Sequence, residues 1–341
     1  MWIFFLVLLV AAIVLECISL RQGTKYLSGD YRAVPDRIEP GETARLRFRL
    51  INGAPTPLSH GELKVSSPTG EPLVEGFRLG SHRQKDRYQE VSFDKRGVYL
   101  FTAGEIRRGD FFGLKDKYAD LDLRRELLVF PPETEGDILS DILIRFTGEI
   151  SARECLNRDP ILTLGLREYT GQEPMKTISW TATARRGELM VREFEYTGQL
   201  SCSLILMTSG LYPREDELLD TLCSLSRGIC RQLTEKGITL NFYTNARLKG
   251  LPGRCSGCRI SPGDQANLLE ILARVSDYTG CGWEELTEQA LRAGGSDCSY
   301  ILLVPREDQD SALALGALRK ATGGAVLLIS GSDYLPREDT P

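Results

Sequence analysis

GLREYTGQEPMKTISWTATARRGELMVREFEYTGQ, residues 165–199, decides how the rest of the chain is read. It interleaves arginine, glutamate, tryptophan and small residues so densely that neither a two-residue nor a 3.6-residue apolar period accounts for more than a few positions. Packing of one apolar face does not explain that composition. Arg167, Arg185 and Arg192 supply planar, permanently charged forks, and Glu168, Glu193 and Glu195 supply carboxylates able to pair with them bidentately. Two readings follow. Either ion pairs around an apolar Trp180 lock neighbouring domains together, or Trp180 and Arg185 present a docking surface to a partner.

Downstream of this stretch, strands and helices alternate. Ser203 to Met207 is a short apolar run. Glu215 to Lys236 then places Leu218, Leu222, Leu225, Ile229 and Leu233 at helical steps, with acids in its first turn and Lys236-Gly237 at its end. Ile238–Phe242 reads as a second strand, and Asp264 as the cap of a helix carrying Leu268, Leu272 and Val275. Trp283, Leu286 and Ala290 stripe another helix that stops at Gly294-Gly295. Tyr300–Val304, a helix through Leu313–Lys320, and Ala325–Ile329 complete the series. Such repeated strand–helix units imply a mostly parallel sheet covered on both faces, here over residues 200–335.

Upstream, residues 133–164 are mixed and rich in charge and read as a linker. Residues 28–132 read as all-β: Thr43–Leu50 alternates Ala44, Leu46, Phe48 and Leu50 with Arg45, Arg47 and Arg49, the pattern of a half-buried strand. Further short strands at Glu62–Val65, Tyr88–Phe93, Gly97–Thr102 and Glu126–Phe130, separated by turn clusters, predict an immunoglobulin-like sandwich. Trp2 to Leu20 is apolar apart from Glu16, Cys17 and Ser19. As a helix it would rise roughly 28 Å, so residues 1–27 read as a single transmembrane anchor. Arg21, Lys25 and Arg32 flank its C-terminal side, which places the soluble domains in the cytoplasm by the positive-inside rule.

The net charge of −5 argues against nucleic acid as a partner. Nine cysteines, an odd number in no framework pattern, predict mostly buried thiols in a reducing compartment. Both histidines, His60 and His82, precede residue 165. A Ser-His-Asp or Cys-His site within the C-terminal half is thereby excluded.

The order Arg167-Glu168-Tyr169, Gly171, Ile178, Trp180, Thr183-Ala184-Arg185, Leu189 and Val191-Arg192-Glu193-Phe194-Glu195 resembles the signature of the bacterial "domain of unknown function 58" family. The segment from Arg96 to Tyr99, followed by Gly109 to Leu114, is also similar to that family's sandwich domain. The resemblance implies a membrane anchor, a β-sandwich and a von Willebrand factor A-like, Rossmann-type α/β domain in one chain. It also implies a non-enzymatic adaptor or scaffold in the lipid bilayer, working beside a MoxR-type AAA+ ATPase and sometimes near a transglutaminase-like membrane protein. The interaction residues it assigns are Arg167, Glu168, Tyr169, Gly171, Trp180, Thr183, Ala184, Arg185, Arg192, Glu193, Phe194 and Glu195. Gln172 stands where the family usually has an acid.

In A-like domains the metal sits in an Asp-x-Ser-x-Ser loop after the first strand. Here Met207 occupies the carboxylate position, Ser209 is retained and the last serine is absent. A degenerate loop and no bound metal or other cofactor are therefore expected. Asp264 and Asp333 lie near predicted strand ends but match no motif. Two other readings remain: an extracytoplasmic adhesion-type binding module, and a zinc or redox protein centred on Cys255 and Cys258. The second would need two further ligands, from Cys281 and Cys298 or from carboxylates.

Overall fold

The computed structural model describes residues 2–22, 24–110, 115–134, 136–154, 163–169, 178–194, 201–212, 215–253, 256–260, 265–294, 298–323 and 325–335. The chain divides into two compact units, residues 1–132 with 269–275, and residues 133–268 with 276–341.

The first unit opens with α1 (Trp2–Gln22) and continues through eight strands: β1 (Leu27–Val34), β2 (Arg37–Ile38), β3 (Thr43–Asn52), β4 (Leu58–Ser66), β5 (Leu73–Leu79), β6 (Arg83–Ser92), β7 (Gly97–Gly109) and β8 (Asp116–Val129). They form a three-stranded sheet in the order β1-β3-β6 and a five-stranded sheet in the order β2-β8-β7-β4-β5. The period-two pattern of β3 explains the packing. Ala44, Leu46, Phe48 and Leu50 are fully buried and share one core with Leu63, Val65, Phe77, Phe101, Ile106, Leu127 and Val129 from the other sheet. On the opposite face of β3, Arg49 pairs bidentately with the cross-strand Asp86 at 2.8 and 2.9 Å. Tyr31 lies inside the core and satisfies its hydroxyl by donating to the Leu123 carbonyl at 2.6 Å.

The second unit contains α2 (Gly136–Glu154), β9 (Thr163–Glu168), α3 (Trp180–Arg186), β10 (Met190–Phe194), β11 (Ser201–Leu206), α4 (Asp216–Glu235), β12 (Thr239–Thr244), β13 (Ala246–Leu248) and β14 (Ser256–Ile260). It also holds the start of α5 (Ala266–Arg274), then β15 (Val275–Thr279), α6 (Trp283–Gly294), β16 (Ser299–Val304), α7 (Gln309–Ala321), β17 (Val326–Ser330) and a closing 3-10 turn, Gly331–Tyr334. The main sheet runs β14-β12-β11-β16-β17. Of its four pairings three are parallel, and the edge strand β14 runs antiparallel to β12. The leucine stripe of α4 is buried, as are Leu204–Leu206 and the whole of β16, so the sheet reads as near-continuous apolar strands.

Four expectations are corrected. Among the described residues no helix is long and apolar enough to cross a membrane. The unbroken apolar part of α1 ends at Leu15, before Glu16, and rises only about 21 Å against a hydrocarbon core of about 30 Å. The three-part architecture of transmembrane helix, immunoglobulin-like sandwich and von Willebrand A-like domain gives way to a mixed α/β chain. Its described residues form five sheets, two of them small two-stranded ones, β10-β9 and β13-β15, that stand outside the main sheet. The stretch read as a linker holds α2, whose Leu139, Ile142, Leu143 and Phe146 are buried. Val275, read as helical, begins β15 instead, because the β-branched and aromatic run Val275–Thr279 favours a strand over another helical turn.

Candidate functional site

In the main sheet β11 lies between β12, reached through α4, and β16, reached from the other side. The C-terminal ends of β11 and β16 therefore meet where the strand order reverses, the usual place for a ligand crevice in an open α/β sheet. The loop after β11 runs through Met207, Thr208, Ser209 and Gly210. Met207 is fully buried in the core formed with Tyr300, Leu302 and Leu286, so it has left the loop's polar surface altogether. The turn closes at Gly210, whose φ of +87° suits glycine, and a Cβ there would sit 3.0 Å from Asp308 Oδ2.

The polar groups of this loop are held by one buried amide. Asn245, just past β12, accepts from the Thr208 backbone N–H at 2.8 Å and from its hydroxyl at 3.3 Å through Oδ1. Its Nδ2 donates to Ser209 Oγ at 2.9 Å and to the Cys281 carbonyl at 3.4 Å. Thr208 and Ser209 are thus committed to a side-chain amide, in the place where hydroxyls of an A-like loop would face a cation. Asp308 caps α7 in a capping box with Ser311, its Oδ1 accepting from the Ser311 N–H at 2.7 Å. Nearby, Arg306 grips Glu215 with two bonds of 2.6 and 2.9 Å and stands 5.4 Å from the ring centroid of Tyr212. Among the described residues no group of three or more His, Cys, Asp or Glu side chains is placed to hold a metal ion. Asp264 lies outside the described residues, and Asp333 sits in the closing 3-10 turn.

The hydrogen bond from Arg306 holds the Glu215 carboxyl below the ordinary glutamate range. A depressed folded-state pKa adds stability above the unfolded-state value, and that stability is lost as pH falls through the folded value. Glu215→Gln should accordingly lower the urea midpoint at about pH 7, and the gap from the parent should close as pH drops below about 4. A gap independent of pH would show that the pair contributes nothing beyond packing.

The 165–199 stretch builds a separate small module. β9 and β10 pair antiparallel, matching Glu168 with Met190, Arg167 with Val191 and Arg192 with Leu166. Between them lies α3, a single short helix ended by Gly187 at φ +80°, whose N–H donates to Thr183 O. Thr183 also accepts from the Met190 N–H through Oγ1 at 3.0 Å, which ties α3 to β10. Ile178, Met190 and Val191 are buried. Trp180, expected as an apolar centre, is instead 61% exposed, because α3 has no buried residue and its tryptophan sits on the first helical position. Ala184, Arg185 and Arg186 are exposed beside it, and among the described residues neither arginine makes an ion pair. Glu168 is exposed and Tyr169 half-buried. Arg192, Glu193 and Phe194 lie in β10 and Arg167 in β9, while Gly171 and Glu195 lie outside the described residues.

Among the described cysteines six are thiols and one is not. Cys17, Cys202, Cys223, Cys230, Cys258 and Cys298 are thiols, but Cys281 is disulfide-bonded to a partner outside the described residues. Burial pushes the Cys202 and Cys230 thiols well up, away from the thiolate needed for metal binding or nucleophilic attack. Cys255 is outside the described residues. With the Cys281 sulfur in a disulfide and Cys298 buried 3.4 Å from Ser203 Oγ, the zinc reading loses both cysteines it would add to Cys255 and Cys258.

No family model matches the chain, and no curated protein sequence matches it. Solved structures show partial likeness. The CARDB domain of the PF1109 protein from Pyrococcus furiosus, in complex with di-metal ions, is 13% identical over 30% of this chain and 91% of its own, with a TM-score of 0.24. The putative ApaA protein from Bordetella pertussis is 12% identical over 32% of this chain and 94% of its own, with a TM-score of 0.22. The sporulation control protein Spo0M from Bacillus subtilis is 13% identical over 42% of this chain and 58% of its own, with a TM-score of 0.19. At such scores these likenesses carry no argument about this chain.

What sequence reasoning missed are Asn245, Asp308 and the Arg306–Glu215 pair. Asp308 and Ser311 had a legible signal, an acid three residues before a serine at the start of a helical stretch. Asn245 had none beyond being polar at the end of an apolar strand.

Proposed function

We propose that the chain is a non-enzymatic adaptor of a MoxR-type AAA+ ATPase system at the cell membrane, a member of the domain of unknown function 58 family that works by binding proteins. The single observation that supports it best is the exposed surface of α3. A tryptophan that is 61% exposed beside two arginines without ion pairs among the described residues is the composition of a protein-binding hot spot. The signature residues around it support the family and hence the ATPase partner, with a transglutaminase-like membrane protein as a further neighbour. The loop Met207–Gly210 supports metal-free binding, since Asn245 already occupies its hydroxyls. The exposed apolar side chains of α1, from Trp2 to Val14, support attachment to lipid, and the six thiols among the described cysteines support a cytoplasmic face.

The test is a binding titration of the full chain with its cognate MoxR-type ATPase. Trp180→Ala and Arg185→Ala should each weaken binding by about thirtyfold while leaving the unfolding midpoint unchanged, since both side chains are largely exposed. Undiminished binding by both folded variants would sink this surface.

A second reading, an extracytoplasmic binding module, is favoured by the Cys281 disulfide, because such bonds persist mainly in oxidising compartments. Protease accessibility of the folded units from outside intact cells separates the two.

A further inference from the structure

β6 ends the three-stranded sheet of the first unit: it pairs with β3 along its whole length and, among the described residues, with no other strand. Every second residue of such an edge turns its N–H and C=O away from the neighbouring strand, so β6 carries a row of open backbone donors and acceptors. The register fixes which side chains stand beside that row. Arg83, Lys85 and Arg87 lie opposite Asn52, Leu50 and Phe48, on the face that β3 turns inward. Val91 on the same face of β6 still packs against the core, but the three cations are exposed, because the cover ends toward the turn at residues 80–82. They follow one another at about 7 Å and together span about 14 Å. None of the three makes an ion pair among the described residues. The acids of β6 point to the opposite face, where Arg49 holds Asp86 bidentately and Arg45 stands 3.5 Å from Glu90. In a chain with a net charge of −5, this edge presents uncompensated cations in line.

We infer that β6 is a docking edge for an extended acidic segment of a partner protein, added as a further strand to the β1-β3-β6 sheet with a carboxylate at every second position. Two features select this occupant. The open backbone row is matched by another peptide backbone, which supplies N–H and C=O groups at the same repeat. An extended partner also spaces every second side chain at about 7 Å, which sets its carboxylates against Arg83, Lys85 and Arg87 in register. A second copy of β6 would bring three more cations to the same face and is rejected. A nucleic acid would meet the charges but leave the backbone row unpaired.

The full chain is titrated, by fluorescence anisotropy, with an end-blocked peptide of about nine residues alternating threonine and glutamate, with its lysine counterpart and with an oligothymidylate of similar charge. The glutamate peptide should saturate, weaken as salt rises and bind at least about tenfold more tightly than either other probe. Of two versions of it N-methylated on alternate residues, one should lose binding and the other keep it, because only one set of its N–H groups faces β6. Arg83→Gln, Lys85→Gln and Arg87→Gln together should weaken the glutamate peptide about tenfold and leave the unfolding midpoint unchanged, since all three side chains are exposed. Failure of the glutamate peptide to saturate, equal binding of the oligothymidylate, the same outcome for both N-methylated versions, or undiminished binding by the folded triple variant would overturn the docking edge. The cations would then serve only to keep strands of other molecules off β6.

Discussion

Replacing Asn245 by alanine should destabilise the α/β unit by about 3 kcal/mol, read as a lowered urea midpoint with an unchanged slope. The amide is fully buried and touches two segments at once: Thr208 and Ser209 after β11, and the Cys281 carbonyl before α6. Alanine removes these bonds and also strands the Thr208 N–H, in a residue 1% exposed, where no water can replace the lost acceptor. The stranded donor costs more than the bonds themselves, since desolvation of an unmade hydrogen bond is not recovered. Asn245→Asp refines the test. The new carboxylate would still accept from Thr208 but would face the Cys281 carbonyl without a donor. Burial would raise its folded-state pKa, so this variant should be nearer the parent at acid pH and lose stability as pH rises through that pKa. A loss below about 0.5 kcal/mol for alanine would mean that the loop holds its shape without the amide.

Gly228→Val should cost a similar amount, about 3 kcal/mol, for the opposite reason: too much volume rather than a missing bond. Gly228 lies inside α4, where glycine is itself unfavourable by about 1 kcal/mol relative to alanine. The position needs glycine because a Cβ there would come within 2.6 Å of Leu139 Cδ1 and 2.8 Å of Cδ2 on α2. Leu139 is fully buried, so it has no free direction in which to withdraw. Leu139→Ala alone should cost about 3 kcal/mol by opening a cavity. Combined, the two changes should cost at least 1 kcal/mol less than their sum, because the valine fills space that the leucine has left. Strict additivity would show that α2 does not pack on α4 at that point.

These two sites show why legibility was uneven. The half-buried strand Thr43–Leu50 and the leucine stripe of α4 were readable because their signals recur within two or four residues. Local backbone geometry alone assigns those side chains to one face. The burial of α2 was not readable, since its apolar positions sit among Glu, Asp and Arg and its pairing with α4 depends on a distant glycine. The apolar helix α1 suggests a membrane crossing only when its length runs through Glu16, which ends its unbroken apolar part. The exposed position of Trp180 was equally hidden, because tryptophan is on average a burying residue and nothing local says that α3 buries none of its own side chains.

By itself the amino-acid sequence determined the period of each strong element, the lack of a histidine-based site in the C-terminal half and the absence of a carboxylate at position 207. Those properties belong to single residues or to neighbours a few positions apart. Tertiary structure alone decided which groups meet: Asn245 with Ser209 across 36 residues, Arg306 with Glu215 across 91, and Cys281 with a disulfide partner. Contacts between such distant residues are set by sheet order and loop closure, which no local pattern encodes. The polar clamp after β11 and the exposed tryptophan of α3 could therefore be found only once the chain was folded.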